Sequence, residues 1–479
     1  MKKNNKYLIY VFFISLLFIF NNIGLAVQTS YISDFDPLSN IKVTVDIQKI
    51  RAFDKDDQQV RVKEYIDLNS DPDFYVKIII NDEVFISDIW HDTKYIYEPC
   101  FNATLDVPDD EEIVTVVIQL WDWNDNEDVL CDIGDETDDA ELHYSIKNGH
   151  WTGDDQINDA SGYGRLNGCD DGSIYTQQYD CELWFSITQN DYDNDGIPYW
   201  MEVNTYGTDP EVKNSGDPDG DKIPVDWEWK WGYNPFEAES HEQLDPDDDS
   251  IDNYEEYLTS EWFSDPFRID VFVELDMMGD GPNGEKVYFP EYSEELLNTA
   301  FNRQNFVFHL DYGDMGGHEI IPFDSESTYS ELNNIYWNYF MHGDEDNWRR
   351  GIFHYGIITY DVDGPPGYMI RSNAFQVASL GMEGKVEEIP TSTRETVYAS
   401  CYMHELGHTF NFRPIPGHDQ DSAHPWQIGY WINRPYKSCM NYAWTYRIVD
   451  YSDGSRPDPD LNDWDTNRLK LDSFEREWD

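Results

Sequence analysis

Apolar and polar residues alternate with a period of two in three early stretches of the chain, which predicts strands with one face turned inward. They are Ile41-Lys42-Val43-Thr44-Val45-Asp46-Ile47, Phe74-Tyr75-Val76-Lys77-Ile78-Ile79-Ile80 and Val114-Thr115-Val116-Val117-Ile118-Gln119-Leu120-Trp121. Acid-rich loops join them, and short β-branched strands in this order predict an all-β sandwich over residues 27–190. From residue 267 the period switches repeatedly. Strands are expected at 268–275 and 306–310, an amphipathic helix at 291–302, a further helix at 329–340, and strands at 351–360 and 368–378. This succession describes an α+β unit over 267–479, a mixed sheet with helices behind it.

Residues 191–266 follow neither period but repeat themselves, and a repeat outweighs a single motif. Asp191, Asp193, Asp195 and Glu202 share one spacing with Asp217, Asp219, Asp221 and Glu228, and with Asp245, Asp247, Asp249 and Glu256. Ca²⁺ takes six to eight oxygens, and aspartates at loop positions 1, 3 and 5 with a bidentate glutamate at 12 supply most of them. Position 7 is isoleucine in each unit (Ile197, Ile223, Ile251), its carbonyl suited to the ion and its side chain to the interior. Position 6 is glycine only in the first loop (Gly196), so Lys222 and Ser250 predict distorted or weaker loops in the other two. Trp200, Trp227, Trp229, Trp231 and Tyr254 offer the small apolar core such units require. The stretch resembles thrombospondin type 3 and related calcium repeats, which implies a connector stiffened by metal.

The sandwich carries a second acidic signal. Ser70-Asp71-Pro72-Asp73-Phe74-Tyr75-Val76 and Leu120-Trp121-Asp122-Trp123-Asn124-Asp125 resemble the two calcium-loop regions of C2 domains. That resemblance implies Asp67, Asp71 or Asp73, Asp122 and Asp128 as ligands of a shared ion; the alternative is an acidic loop with no ion.

The net charge of −64 over 479 residues removes nucleic acid from the partners, because there is no basic footprint to neutralise phosphates. Halophilic solvation, bound divalent cations and plain solubility all account for such acidity, and the repeats favour cations. Aromatic residues make up 16% of the chain, enough apolar surface for packed cores. At the N-terminus, Met1-Lys2-Lys3, an apolar run from Tyr7 to Phe20 and then Gly24-Leu25-Ala26 read as a secretory signal peptide over 1–26. The run is shorter than the roughly 18 residues of a retained span. The expectation is a secreted protein with no stable membrane span after cleavage. Six cysteines, an even count, suit export. Fifteen pairings are possible, and joining near neighbours gives Cys100 with Cys131, Cys169 with Cys181, and Cys401 with Cys439. Asn102-Ala103-Thr104 matches the N-glycosylation acceptor pattern.

The chemistry is concentrated in His404-Glu405-Leu406-Gly407-His408. On a helix, residues i and i+4 share a face, so both imidazoles reach one ion while Glu405 points to its open side. Zinc lowers the pKa of bound water to about 7, and a carboxylate in reach takes the proton as that water attacks a carbonyl. Ser392 with Glu395 reads as a capping box, and Val397, Cys401, His404 and His408 recur at helical spacing. Asn411 suits a left-handed cap, and Pro414 and Pro416 stop the helix.

About thirty residues further on lies Ser438-Cys439-Met440-Asn441-Tyr442. The zinc helix, the break after it and this S-x-M-x-Y turn together resemble a metzincin metallopeptidase. The resemblance implies that Met440 underlies the metal and that Tyr442 reaches the metal or the oxyanion. The strong part of the match covers about residues 395–445. The chain departs from the family where the third ligand should stand, since that position is Pro414. Zinc requires three protein ligands and a water to be catalytic. His418 and Asp419 are the nearest substitutes, with Asp421 and His424 behind them; His418 is preferred because imidazole is the commoner ligand. Metzincin geometry also implies that a Cys401–Cys439 bridge clamps the helix to the methionine turn.

These readings describe a multidomain secreted zinc endopeptidase with Zn²⁺ and Ca²⁺ as cofactors and a protein or peptide substrate. Its alternative is a calcium-dependent cell-surface binding protein whose peptidase unit is inactive. A zymogen blocked by part of 27–190 is a third reading, without a short cysteine-switch motif to support it.

Overall fold

The computed structural model describes residues 41–53, 66, 70–108, 112–135, 137–155, 164–169, 179–214, 216–410 and 412–465. The expected signal segment, Asp67 and Asn411 lie outside them. The N-terminal strands are β1 (Ile41–Ala52), β2 (Phe74–Ile80), β3 (Glu83–Ile86), β4 (Tyr95–Val107), β5 (Ile113–Asp122), β6 (Val129–Cys131), β7 (Ala140–Ser145), β8 (Trp151–Gly153), β9 (Gly164–Asn167) and β10 (Cys181–Thr188). They form two antiparallel sheets, β4-β1-β10-β9 and β3-β2-β5-β7-β8, with β6 also on β5. Alternation drives the packing: Phe74, Val76, Ile78 and Ile80 of β2 and Val114, Val116, Ile118 and Leu120 of β5 are fully buried. Each such side chain contributes about 1.5–3 kcal/mol by leaving water.

Three short helices follow the acidic repeats: α1 (Tyr199–Met201), which runs on as a π turn to Tyr206, α2 (Val225–Lys230) and α3 (Asn253–Thr259). Trp227 and Trp231 are buried with Ile223 in one cluster that includes Trp184 of β10 and Val307. The repeat stretch is therefore wedged against its neighbours rather than strung between them.

The C-terminal unit contains β11 (Asp270–Met278), α4 (Glu291–Asn302), β12 (Val307–Asp311), β13 (Ile320–Ile321), α5 (Tyr329–Ile335), α6 (Arg349–Ile352), β14 (Phe353–Thr359), β15 (Gly367–Arg371), β16 (Ala374–Ala378), α7 (Ser379–Glu388), α8 (Arg394–Thr409) and α9 (Ile428–Asn433). Strands β12, β11, β14 and β16 run parallel, and β15 closes the order as an antiparallel edge. The sheet is mixed, as expected. The single strand expected over 368–378 is instead the hairpin β15–β16. Ser372 and Asn373 turn the chain, and the Asn373 carbonyl accepts from Tyr355 N–H at 2.8 Å. The helix expected to 340 passes into a π turn at Tyr336.

A buried polar joint fixes the sandwich to this unit. Arg165 Nε donates to Glu182 Oε1 at 2.6 Å, while Nη1 reaches Asn305 Oδ1 at 3.0 Å and Nη2 the Asn302 carbonyl at 2.7 Å. Among the described residues no helix is long and apolar enough to cross a membrane.

Candidate metal centre

Helix α8 carries the histidines. Its N-cap is Thr393, whose hydroxyl accepts from Thr396 N–H at 3.1 Å, and not the Ser392–Glu395 box expected from sequence. The cap moved by one residue because Thr393 has the extended backbone that a cap adopts. The helix ends at Thr409, with Phe410 as C-cap. The loop that follows swings His418 back over the helix. Ligand atoms of His404, His408 and His418 all lie within 4.8 Å of one another, and His418 Nε2 stands 3.2 Å from His404 Nε2. That separation is close to the edge of a tetrahedron with bonds of about 2.0–2.1 Å, roughly 3.3 Å.

The tautomer is also set. His404 Nδ1–H donates to the Cys439 carbonyl at 2.8 Å, which leaves Nε2 as a bare lone pair at the centre. Thr445 Oγ1 donates to the same carbonyl at 2.7 Å. Burial holds all three imidazoles below their usual pKa, His408 at about 4, so they are neutral and able to ligate at pH 7. Asp419 is engaged in its own turn, where Oδ1 accepts from Asp421 N–H at 2.8 Å and Ser422 Oγ at 3.0 Å. His418→Ala should therefore lower zinc affinity by more than the roughly 10–100-fold typical of an outer-sphere change, while Asp419→Ala should leave zinc content near wild type. Metal analysis after dialysis checks both.

The methionine turn lies under the helix. A Cβ at Gly407 would come within 2.4 Å of Met440 Sδ, so the glycine of HELGH is what admits the thioether. The Tyr442 ring is 4.4 Å from that of His418 and 5.9 Å from that of His404. Burial, then the Glu405 and Asp419 charges, raise its phenol pKa, which keeps the hydroxyl a donor.

Glu405 is buried, and desolvation lifts its carboxyl to about 8. It faces the first residue of β15, where a Cβ on Gly367 would meet Glu405 Oε1 at 2.5 Å and Cys401 Sγ at 2.9 Å. Gly367→Ala should displace the carboxylate and lower kcat by about 100-fold with zinc retained, since an error near 1 Å costs that much. Steady-state kinetics with metal analysis separates this from loss of the site. Gly367 belongs to no motif in the sequence, and its importance arises only where the edge strand crosses α8.

The expected disulfides are not formed. Cys401 Sγ lies against Gly367 and Tyr446, and burial keeps its thiol and that of Cys439 far above their usual pKa. Cys100 is exposed on β4 while Cys131 faces the sandwich core, so they do not meet. Cys169 Sγ lies 3.4 Å from Asp180 Oδ2, and its pairing with Cys181 is not made.

The three acidic loops share one backbone. Position 6 N–H donates to the first aspartate in each: Gly196 to Asp191 Oδ2 at 2.9 Å, Lys222 to Asp217 Oδ2 at 3.2 Å and Ser250 to Asp245 Oδ2 at 3.1 Å. Lys222 and Ser250 adopt the same left-handed backbone as Gly196, with φ of 87° and 83° against 96°. The distortion expected from the missing glycines does not occur; the aspartate hydrogen bonds hold the turn. Asp191, Asp193 and Asp195 converge, as do Asp217, Asp219 and Asp221, and Asp245, Asp247 and Asp249. Ile197, Ile223 and Ile251 are buried, as are Glu202, Glu228 and Glu256 at position 12. Burial, then the neighbouring carboxylates, raise the pKa of Asp193, Asp219, Asp247 and Glu256, as crowded negative charge does.

The carboxylates in the sandwich make local bonds of the same kind as those in the repeats. Asp122 Oδ1 accepts from Asp73 N–H and Oδ2 from Asn124 Nδ2, each at 2.8 Å. Asp128 takes the Tyr75 hydroxyl at 2.9 Å, and Asp71 pairs with Lys94 at 3.3 Å.

No family model matches the chain, and no curated protein matches it in sequence. Among solved structures, it is similar to human GIVD cytosolic phospholipase A2 in complex with methyl gamma-linolenyl fluorophosphonate at 15% identity and a TM-score of 0.19, over 31% of this chain and 17% of that one. A C2 domain structure matches at 11% identity and 0.19, over 31% of this chain and 98% of that one. A C2 domain protein from Ramazzottius varieornatus matches at 9% identity and 0.20, over 31% and 87%.

Proposed function

We propose that this chain is a secreted zinc-dependent endopeptidase of metzincin type, with calcium-bound repeats and a C2-like sandwich beside the peptidase unit. The observation that carries the reading is the convergence of His404, His408 and His418, with a second-sphere carbonyl fixing the tautomer of His404. Three neutral imidazoles form a zinc-type donor set. Zinc held there would polarise a carbonyl and lower the pKa of water to about 7. Glu405 takes the proton from the attacking water and returns it to the leaving amine. Tyr442 donates to the developing oxyanion.

A peptide substrate is supported by β15, the edge strand of its sheet among the described residues, which begins at Gly367 against Glu405 and would offer main-chain pairing to an extended segment there. Beside the site, Trp426, Ile428 and Trp431 are exposed around α9. Asn433 joins that helix to the His418 loop through Ser422 Oγ at 3.1 Å, and its carbonyl accepts from Asn441 of the methionine turn at 2.9 Å. These side chains would form an apolar wall for substrate residues.

The test is cleavage of denatured casein by the purified protein with and without 1,10-phenanthroline. Fragments that disappear with the chelator and return with zinc support the reading. A protein that cleaves nothing and retains no zinc belongs instead to the calcium-dependent surface-binding alternative.

A further inference from the structure

The three loops share a backbone but not the residue that closes them. About twenty residues after the position 5 aspartate, a later segment folds back onto each loop. In the first, Asn214 gives its backbone N–H to Asp195 Oδ2 at 3.0 Å, and its amide lies 3.3 Å from Glu202 Oε1. In the third, Asp270 N–H donates to Asp249 Oδ2 at 2.9 Å, which brings a further carboxylate to the loop. Neither closing residue is itself an imidazole: Asn214 presents its amide NH2, and Asp270 a carboxylate whose Oδ1 meets His309 Nε2.

The second loop is closed by an imidazole. Glu239 N–H donates to Asp221 Oδ2 at 3.0 Å, and His241 Nε2 stands 3.3 Å from that oxygen and 3.6 Å from Glu228 Oε1. Ligand atoms of Asp221, Glu228 and His241 all lie within 4.8 Å of one another. Glu228 is completely buried, and neither of its carboxylate oxygens has a hydrogen bond; His241 is 2% exposed. The ring is held edge-on to Trp227 and Tyr233, at 5.9 Å and 4.9 Å. Its Nδ1 faces the Asn253 carboxamide at 3.2 Å, a group that offers a donor at one end and an acceptor at the other. With Asn253 Nδ2 donating to Nδ1 the ring proton sits on Nε2; turning that amide, whose Oδ1 has no hydrogen bond, lets Nδ1–H donate and leaves Nε2 as a lone pair toward the carboxylates.

We propose that the second loop is a transition-metal site, with Asp221, Glu228 and His241 as ligands, whereas the first and third loops take Ca²⁺. Calcium prefers an all-oxygen shell, while an imidazole with two carboxylates suits Zn²⁺, Mn²⁺ or Co²⁺. The fully buried glutamate is the strongest sign of an ion, because its oxygens make no hydrogen bond, the nearest basic group is His241 Nε2 at 3.6 Å, and so poorly compensated a buried carboxylate costs several kcal/mol. The proposal deepens the metal-loop reading of residues 191–266 and does not depend on the His404 centre.

The experiment measures zinc content of the full chain after dialysis with calcium in excess, for wild type, His241→Asn and His404→Ala. Asparagine keeps an oxygen donor, so the variant loop retains the ligand count for calcium. The expected result is one zinc ion fewer per chain in His241→Asn than in wild type, with calcium content unchanged or raised by one. Cobalt provides a second readout on the wild-type protein: it should quench tryptophan fluorescence, and Trp227→Phe should remove most of that quenching. Zinc content equal in wild type and His241→Asn, or quenching indifferent to Trp227→Phe, overturns the proposal. If the His404 centre holds no zinc, His404→Ala changes nothing while His241→Asn still loses its ion, so the two readings fail separately.

Discussion

Glu405→Gln should reduce kcat for casein by about 1,000-fold or more while leaving zinc content and thermal stability close to wild type. The amide keeps the size of the side chain and its place against Gly367, so α8 and the histidine cluster are undisturbed. What it removes is the group that accepts the water proton, and general-base catalysis by a positioned side chain contributes about 10²–10⁴-fold. The wild-type carboxyl is lifted to about 8 by burial, and a cation held by the three histidines would restore its working charge. Equal activity in the variant at equal zinc content would show that Glu405 is not the base.

Chelating calcium should loosen residues 191–266 and expose new cleavage sites to an added protease. The effect should depend on pH. Burial, and then neighbouring aspartates, push the Glu202 carboxyl up from 4.5 to about 7, and the same causes raise Asp247. With a raised folded-state pKa, the folded chain binds more protons than the unfolded chain between these values. The stability of the cation-free protein is therefore present at acid pH and lost as pH rises through about 7. Calcium replaces those protons, so its stabilising effect should be small near pH 5 and large near pH 8. At about 100-fold excess over Kd each site adds about 2.7 kcal/mol, so two sites should raise Tm by about 5 °C in a chain of this length. Thermal melts with EGTA and with calcium at both pH values measure this, and an unchanged digestion pattern would mean that the loops are merely solvated.

Local signals carried much of this molecule. The helix expected at 291–302 is α4, Glu291–Asn302, because one apolar stripe faces the sheet. The acidic repeats were visible through spacing alone. The β15–β16 hairpin was hidden because Ser372-Asn373 interrupts an otherwise continuous strand pattern without glycine or proline. Helix α7 was missed since Gly381 and Gly384 weaken its propensity, and packing against α8 and β16 makes up for it. At the metal centre, His404, Glu405 and His408 share a helix and were legible. His418 was a choice between neighbours that only the loop's path decides: Asp419 is consumed by its own turn, which frees the histidine to face inward. Cys401 and Cys439 are both buried and free, since packing two elements together brings their cysteines near without bonding them. His241 and Asp270 lay outside the loop motif, and their recurrence about twenty residues after the position 5 aspartates was the signal that would have found them.

The most direct test of the account is a zinc titration of the metal-free, calcium-saturated protein, read as casein cleavage and compared with His418→Ala. The expected result is activity that rises with added zinc to a plateau in wild type, with His418→Ala requiring far more zinc or remaining inactive. A wild-type protein that binds zinc at His404, His408 and His418 yet cleaves no peptide bond at any zinc level would contradict it.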